Sequence, residues 1–383
     1  MGCDSGPRGR SKETTNLTLD QSQFRRLFPA LETWAWFDTP GCPPGATPVA
    51  RALAELMSKW SDGDFDWKSW DAASERAREL FSELAGVPPS TVAVLGSVAE
   101  AAATIARTLP PGSIVVPDDE FRSNLYPWLE LDQTRNSVIR VQSSSGPVTT
   151  DDIVRAIRPD TVLVAVSDTL ASTGQRLDFG TLRRATDAVD ARLFADLTQS
   201  FGILSHSEAM EADYVAVHGY KWLFCPRGAA WLVVHQDCIG ELRPLLPSWK
   251  SPDPPYGYYG GTLNLPSTAS RLDTSPAWFS WVGAIAALEV ALDIDHHDVE
   301  QHCVSLAQLW HRGAMEMGYR PILSNQQSHI AVVDVGDSAP MLQDRLTLAK
   351  VKTSIGGSKL RVGVHYFNTV ADVNAALDAI RPL

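Results

Sequence analysis

Short runs of almost continuously apolar residues recur along the first two thirds of the chain and alternate with segments of helical length. Such runs are typical of strands that are covered on both faces, because helices pack on each side of a parallel sheet. We therefore predict an α/β fold with a mainly parallel seven-stranded sheet. Its strands are expected at residues 91–95, 113–116, 137–141, 161–166, 192–195, 214–217 and 229–234.

Helical spacing of apolar residues predicts further elements on both sides of this region. Helices are expected at 51–60, 70–84, 101–109, 281–292, 299–317 and 370–380, and two further strands at 330–333 and 360–364. The Pro-, Gly- and Tyr-rich stretch before residue 276 is too long for an idle connection, so we interpret it as a functional loop. The predicted organisation is a disordered tail (1–17), a segment that joins the small domain (18–44), a large domain (45–245), a substrate-pocket loop (246–276) and a small α+β domain (277–383).

Composition excludes several classes of function. The chain has 33 basic and 45 acidic residues, a formal net charge of -12, and no cluster of basic residues. We therefore expect neither nucleic acid nor a membrane as partner. The five cysteines are widely scattered and form no metal-ligand spacing, so we predict no metal site. No secretory signal follows Met1, and reduced thiols in a cytoplasmic protein are expected.

Asp196 and Lys221 are the most informative candidate residues. Asp196 ends one predicted strand, and Lys221 follows the next strand among Tyr220, Trp222 and other aromatic residues. The carboxyl ends of parallel strands are where open α/β sheets bind ligands. Asp196 alone would also fit a helix N-cap, and Lys221 alone would fit a solvated loop lysine. Together they suit a cofactor with a basic ring nitrogen at one end and an aldehyde at the other.

Other segments offer matching chemistry. The turn Gly96-Ser97-Val98 opens a predicted helix, and free N–H groups at a helix start bind anions, although a plain connection would look the same. Phe121 is a candidate for stacking on a ring or for the core. Arg361 could grip a carboxylate with two parallel donors, or form an exposed ion pair.

The segments Asp196-x-x-Gln199, His218-x-x-Lys221 and Pro226-Arg227-Gly228 resemble the pyridoxal-phosphate site of fold-type I enzymes in the class V aminotransferase family. That family also holds cysteine desulfurases, kynureninases and isopenicillin N epimerases. The resemblance implies pyridoxal 5′-phosphate bound covalently to Lys221 in the large domain, and a homodimer. It implies cofactor contacts from Gly96, Ser97, Val98, Phe121, Ser167, Asp196, Thr198, Gln199, His218, Tyr220 and Lys221, and substrate contacts from Arg361, Asp168 and Asp38.

The resemblance leaves the reaction open. Persulfide-forming desulfurases need a cysteine shortly before the carboxylate-binding arginine, and residues 304–383 contain none. The segments around Phe121 and Trp281 look most like the epimerase branch, which also includes C–S lyases of the ergothioneine type. We therefore expect a small-molecule amino-acid substrate and β-elimination from a cysteine S-conjugate. An aminotransferase, an epimerase, a decarboxylating oxidative deaminase and a catalytically silent binding protein are the alternatives. Ser275-Pro276 replaces the Gly-Thr that often reaches a partner subunit's phosphate, so that contact is expected to be weak.

Overall fold

The computed structural model of the 383-residue chain describes residues 18–253 and 258–382. The expected tail, 1–17, lies outside the described residues, as does part of the loop at 246–276. The α-helices are α1 (Gln21–Arg26), α2 (Thr47–Asp62), α3 (Trp67–Ala85), α4 (Val98–Ala106), α5 (Arg122–Leu129), α6 (Thr150–Ala156), α7 (Phe179–Asp187), α8 (Trp278–Leu292), α9 (His296–Glu316), α10 (Ala339–Leu348) and α11 (Val370–Ile380).

The strands form one large and two small sheets. Their bounds are β1 (Ala35–Trp36), β2 (Val92–Leu95), β3 (Gly112–Pro117), β4 (Asn136–Val141), β5 (Thr161–Ser167), β6 (Arg192–Asp196), β7 (Tyr214–His218), β8 (Ala230–Val234), β9 (Arg320–Pro321), β10 (Ile330–Asp334), β11 (Val351–Lys352), β12 (Ser354–Gly356) and β13 (Lys359–Gly363).

The large sheet has seven strands in the order β2-β8-β7-β6-β5-β3-β4. The pairs among β7, β6, β5, β3 and β4 are parallel, whereas β8 is antiparallel to both β7 and β2. All seven strands expected from the sequence are present, and the mainly parallel α/β sheet is confirmed. The antiparallel strand arises because β8 follows β7 after an eleven-residue connection (219–229) that contains no helix.

Both faces of this sheet are covered, which explains the unbroken apolar runs. Along β5, Val164 and Val166 belong to one buried cluster, whereas Leu163 and Ala165 belong to the other. Successive side chains of a strand point to opposite faces, so two clusters on one strand mean two packed layers. The sheet interior is therefore inaccessible, and chemistry is confined to the strand ends.

The C-terminal part forms a four-stranded antiparallel sheet in the order β12-β13-β10-β9. The expected strands at 330–333 and 360–364 correspond to β10 and β13. The N-terminal segment reaches this part of the molecule, because β1 pairs in parallel with β11. The exact division of the chain into domains stays a prediction.

Gly174 joins the large sheet to β10. Its φ is +76°, and a Cβ atom there would lie 2.0 Å from the carbonyl oxygen of Ile330. Ser328 Oγ donates to the Gly174 oxygen at 2.7 Å. Only glycine combines this backbone conformation with such a close approach. The contact fixes β10, and with it β13, against the segment that follows β5.

Within the described residues, no helix is both long and apolar enough to cross a bilayer. The described cysteines, Cys42, Cys225, Cys238 and Cys303, carry free thiols.

Candidate active site

Three neighbouring parallel strands bring their carboxyl ends to one edge of the large sheet. Ser167 ends β5, Asp196 ends β6 and His218 ends β7. Ser167 lies opposite Asp196 in the register of the sheet, and Asp196 lies opposite Ala216. Lys221 follows three residues after β7, in the connection that reverses the chain into β8. Sheet topology therefore gathers residues that are far apart in the sequence.

A cavity of about 200 Å³ opens at this edge. Every expected cofactor contact except Gly96 lines it, together with four residues that we did not predict. The full set is Ser97, Val98, Ala99, Phe121, Ser123, Ser167, Ala171, Asp196, Thr198, Gln199, His218, Tyr220, Lys221 and Arg227. Gly96 lies just outside, where its N–H donates to Glu100 Oε2 at 2.7 Å.

Lys221 is buried at the base of this cavity, with 4 % of its surface exposed. Its Nζ lies 4.9 Å from the centroid of the Phe121 ring and 5.6 Å from that of Tyr220. Burial lowers the pKa of Lys221 to about 8, a shift that the Asp196 carboxylate opposes and that Arg361 and Arg227 reinforce. The interpretation as a solvated loop lysine therefore fails, since this amine is buried and loses its proton near pH 8.

Asp196 is buried beside Lys221. Burial raises the pKa of its carboxyl, while hydrogen bonds from Thr198 and the charge of Lys221 act in the opposite direction. Asp196 Oδ1 accepts from the Thr198 N–H at 2.9 Å, so the side chain does hold the local turn, although no α-helix begins there. The carboxyl group also lines the cavity, where it can face a basic ring nitrogen.

His218 and the start of α4 offer a site for an anion. Ser97 is the N-cap of α4, and the first N–H groups of a helix favour negative charge. Burial and the nearby cations Arg227 and Lys221 lower the pKa of His218 to about 3, so its ring is neutral. His218 Nε2 is buried and has no hydrogen-bond partner. A phosphate oxygen would satisfy this nitrogen, and these residues fit the phosphate of the expected cofactor.

Trp222 fixes the orientation of the Gln199 amide. Trp222 Nε1–H donates to Gln199 Oε1 at 3.0 Å, and Gln199 Nε2 donates to the Pro40 oxygen at 3.3 Å. An indole nitrogen is only a donor, so the amide oxygen must face Trp222. The second N–H of Gln199 is left to serve an acceptor in the cavity, such as a phenolic oxygen. Thr198 Oγ1 accepts from the His218 N–H at 3.0 Å and ties the two strand ends together.

Arg361, on β13, is held in place by three neighbours. Its Nη1 donates to the Ala171 oxygen at 2.8 Å, its Nε donates to Ser354 Oγ at 3.1 Å, and its Nη2 lies 3.9 Å from Asp38 Oδ1. Asp38 and Arg361 are thus brought together, and the charge of Arg361 influences Lys221. Burial raises the pKa of Asp38. These three neighbours preorganise the guanidinium group, and its charge acts on the amine, as would suit a carboxylate-binding residue.

None of the three expected substrate contacts lines the cavity, and Asp168, unlike Arg361 and Asp38, is also directed to other partners. Its carboxyl is buried against Thr169, with Arg176 and His206 as the nearby charged or titratable groups, and it does not line the cavity. Alternation of side chains along a strand explains this placement, because Ser167 faces the cavity and the next residue faces away. Its role as a substrate contact stays a prediction that no contact supports.

The sequence analysis missed Glu120 and Arg227. Arg227 lies with its guanidinium carbon 4.7 Å from the centroid of the Tyr220 ring and lines the cavity. Glu120 lies behind Phe121 and binds Ser167. The only sequence signal for either residue was its position beside a motif, directly before Phe121 or within Pro226-Arg227-Gly228.

Comparisons with known proteins concern the chain as a whole. The family model described as Aminotransferase class-V matches residues 67–348. The chain is 25% identical over 368 residues to the uncharacterized aminotransferase YcbU of Bacillus subtilis, covering 94% of this chain and 96% of that protein. It is 26% identical over 350 residues to the isopenicillin N epimerase of Amycolatopsis lactamdurans, covering 80% and 84% of the two chains.

Two solved structures confirm the expected fold type. The cysteine desulfurase CsdA of Escherichia coli aligns with a TM-score of 0.81 at 22% identity, covering 94% of this chain and 98% of that chain. The cystine C–S lyase C-DES, in complex with cysteine persulfide, aligns with a TM-score of 0.83 at 20% identity, covering 93% and 100%.

The lowered pKa of Lys221 predicts how the rate at which pyridoxal 5′-phosphate attaches to the cofactor-free protein depends on pH. Only the neutral amine is a nucleophile, so the attachment rate should rise with pH and reach half its maximum near pH 8. In Asp196→Asn the midpoint should fall, because the carboxylate that favours the charged amine is gone. Stopped-flow visible absorbance from about pH 6 to pH 10 measures the profile. A midpoint near that of a solvated lysine would contradict the assignment, and Lys221→Ala serves as the blank.

Proposed function

Since this chain belongs to the class V aminotransferase family of pyridoxal-phosphate enzymes, we propose that it releases a thiol from the β-carbon of a cysteine S-conjugate. The coarser part of this statement, an enzyme that uses pyridoxal phosphate and acts on an amino acid, follows from the family. The finer part is supported by the state of the cysteine thiols and by the groups around Lys221.

Each residue of the site has a chemical task in this proposal. Bound pyridoxal phosphate supplies an electron sink for the negative charge that develops at the substrate Cα. Lys221 Nζ takes the Cα proton, because its lowered pKa leaves part of it neutral. Asp196 supplies the negative charge that favours a protonated ring nitrogen. Arg361 binds the α-carboxylate and orients the Cα–H bond.

The raised pKa values of the cysteine thiols are the observation that favours β-elimination over a desulfurase reaction. The pKa of every cysteine in 18–253 and 258–382 is raised, and burial is the leading cause for each. A thiol in this state is a poor nucleophile, because the thiolate is the reactive form. Residues 304–383 also contain no cysteine, so no thiol lies on the segment that leads to Arg361, where it could capture the leaving sulfur. The leaving sulfur departs with the electron pair of the Cβ–S bond, takes a proton and is released as a thiol.

Cys42 follows Asp38, an expected substrate contact, by four residues, and its N–H donates to the Asp38 oxygen at 2.9 Å. Asp38 raises its pKa and Arg227 lowers it, so the thiol lies near both side chains at the margin of the site. The segment 18–44 reaches the site where the Pro40 oxygen accepts from Gln199 Nε2 at 3.3 Å. Cys42 is thus the thiol to test for a desulfurase reaction.

Transamination is the second candidate, and the resemblance to YcbU favours it. Lys221 can return the proton to the cofactor as readily as to the substrate, so the amine serves both reactions. Epimerisation needs a second proton donor, a role that Phe121 cannot fill and that would fall to another cavity residue such as Tyr220. The aromatic ring of Phe121 is next to Lys221 and carries no exchangeable proton.

A substrate panel separates these reactions. With an S-alkyl cysteine, we expect one thiol and one pyruvate per turnover without any amino acceptor, since the released enamine hydrolyses to pyruvate and ammonium. Mass spectrometry and a thiol reagent measure both products. Cys42→Ser should leave the rate within about twofold, because that thiol takes no part. A keto acid formed only with an amino acceptor would contradict elimination, and loss of activity in Cys42→Ser would indicate a desulfurase.

We also propose that the enzyme is a homodimer in the cytoplasm. An aromatic face is formed by Trp60, Phe65, Trp67, Tyr258 and Phe279, which are linked through the rings of Trp70 and Trp278; ring centroids are 5.9 Å apart for both Trp60–Phe279 and Trp67–Tyr258. Trp60, Phe65 and Tyr258 are 51%, 42% and 54% exposed. Clustered exposed rings of this kind mark interaction sites. None of the described residues of the 246–276 segment lines the cavity of its own chain. This placement is compatible with a role across the dimer interface.

Sedimentation equilibrium tests this dimer. The unmodified chain should sediment at twice the mass of one chain, and Trp60→Glu should raise the dissociation constant at least tenfold, about 1.4 kcal/mol, by placing a charge in the aromatic face. Met315→Glu is the matched control, because Met315 is 42% exposed on α9 and lies outside that face. A monomeric parent chain, or equal dissociation constants for the two variants, would contradict the proposal.

A further inference from the structure

Glu120 is a buried carboxyl that no step described so far uses. It lies in the connection between β3 and α5, and 5% of its surface is exposed. Its Oε1 accepts from Ser167 Oγ at 2.6 Å and from the Phe121 N–H at 2.7 Å. Its Oε2 accepts from the Ser167 N–H at 2.7 Å. One carboxyl group thus anchors both the ring beside Lys221 and the last residue of β5.

These contacts determine what the Ser167 hydroxyl can do in the cavity. A hydroxyl has a single hydrogen to donate, and Ser167 donates it to Glu120. Toward the cavity its oxygen can then only accept a hydrogen bond. If Glu120 carries a proton, the carboxyl O–H can donate to Ser167 instead, and the serine hydrogen becomes free to donate into the cavity. Protonation of Glu120 therefore changes the Ser167 hydroxyl from a hydrogen-bond acceptor to a hydrogen-bond donor toward the cavity.

Two charged groups face Glu120 from neighbouring elements. Asp196, at the end of β6, disfavours its ionised form, and Lys221, beyond β7, interacts with it favourably. Burial is the largest effect and raises the pKa of Glu120 to about 7, although the hydrogen bonds from Ser167 and Phe121 oppose the shift. The proton can thus be gained or lost within the range in which enzymes of this kind are assayed.

We propose that Glu120 is a positioning residue that, through its proton, sets whether the Ser167 hydroxyl accepts from or donates to the molecule bound beside Lys221. This inference rests on one part of the proposed function, namely that the cavity beside Lys221 binds pyridoxal phosphate. It assigns no bond-making step to Glu120. In the ionised state the site offers an acceptor, which suits a protonated nitrogen or a hydroxyl of the ligand. In the protonated state it offers a donor, which suits an anionic oxygen.

Glu120→Gln provides a sharp test, because it removes the titratable proton and its amide NH₂ can donate to Ser167 Oγ at every pH, although the amide nitrogen cannot accept a backbone N–H as the carboxyl does. The visible spectrum of the pyridoxal-phosphate-loaded protein should show a step near pH 7 in the parent chain and lose that step in Glu120→Gln. The spectrum of this variant at alkaline pH should match that of the parent chain at acidic pH. A step that persists in Glu120→Gln overturns the proposal.

Ser167→Ala keeps the inference testable if Glu120→Gln does not fold. It removes the hydroxyl but leaves the carboxyl, so the step near pH 7 should again be lost, and a retained step overturns the proposal. Glu79→Gln is the matched control: Glu79 pairs with Arg76 on the surface of α3, and its loss should leave the titration unchanged. A loaded parent chain without any visible band would instead overturn the proposed function, so the two failures are distinguishable.

Discussion

The site depends on one constraint: its ionisable groups are buried away from water at one edge of the large sheet. Burial disfavours the charged forms of Lys221, Asp196 and Glu120, and it is the leading cause of the pKa shift of each. The attraction between Lys221 and Asp196 works in the opposite direction. Because the two effects compete, the pKa of the Lys221 amine is about 8, so that the amine can serve as nucleophile and as base.

The fold creates this constraint from simple elements. Helices on both faces close the sheet, so that only the strand ends are open to a ligand. The short connection between β7 and β8 holds Lys221 inside the protein among aromatic side chains. The second sheet contributes Arg361, which is held through Ala171 and through the close contact at Gly174. Movement of β13 relative to the large sheet would therefore change the position of Arg361 relative to Lys221.

The sequence predicted those parts of the molecule that depend on long, uniform patterns. The strands of the large sheet were recognisable because each is buried on both faces. The strands β1, β9, β11 and β12 were not, because two or three residues carry no periodicity. The position of Cys42 near Arg227 could not be foreseen, because it depends on how the 18–44 segment folds against the large sheet. Glu120 was missed because one acidic residue before an aromatic residue does not show whether its side chain turns inward.

Mass spectrometry of the borohydride-reduced, pyridoxal-phosphate-loaded protein tests the central claim most directly. Reduction makes the bond between cofactor and amine permanent, and a protease digest then locates the label. The account predicts one labelled peptide, which contains Lys221, because burial beside Asp196 makes this amine the reactive one. A label on Lys250 or Lys352, or a label spread over several lysines, would contradict it.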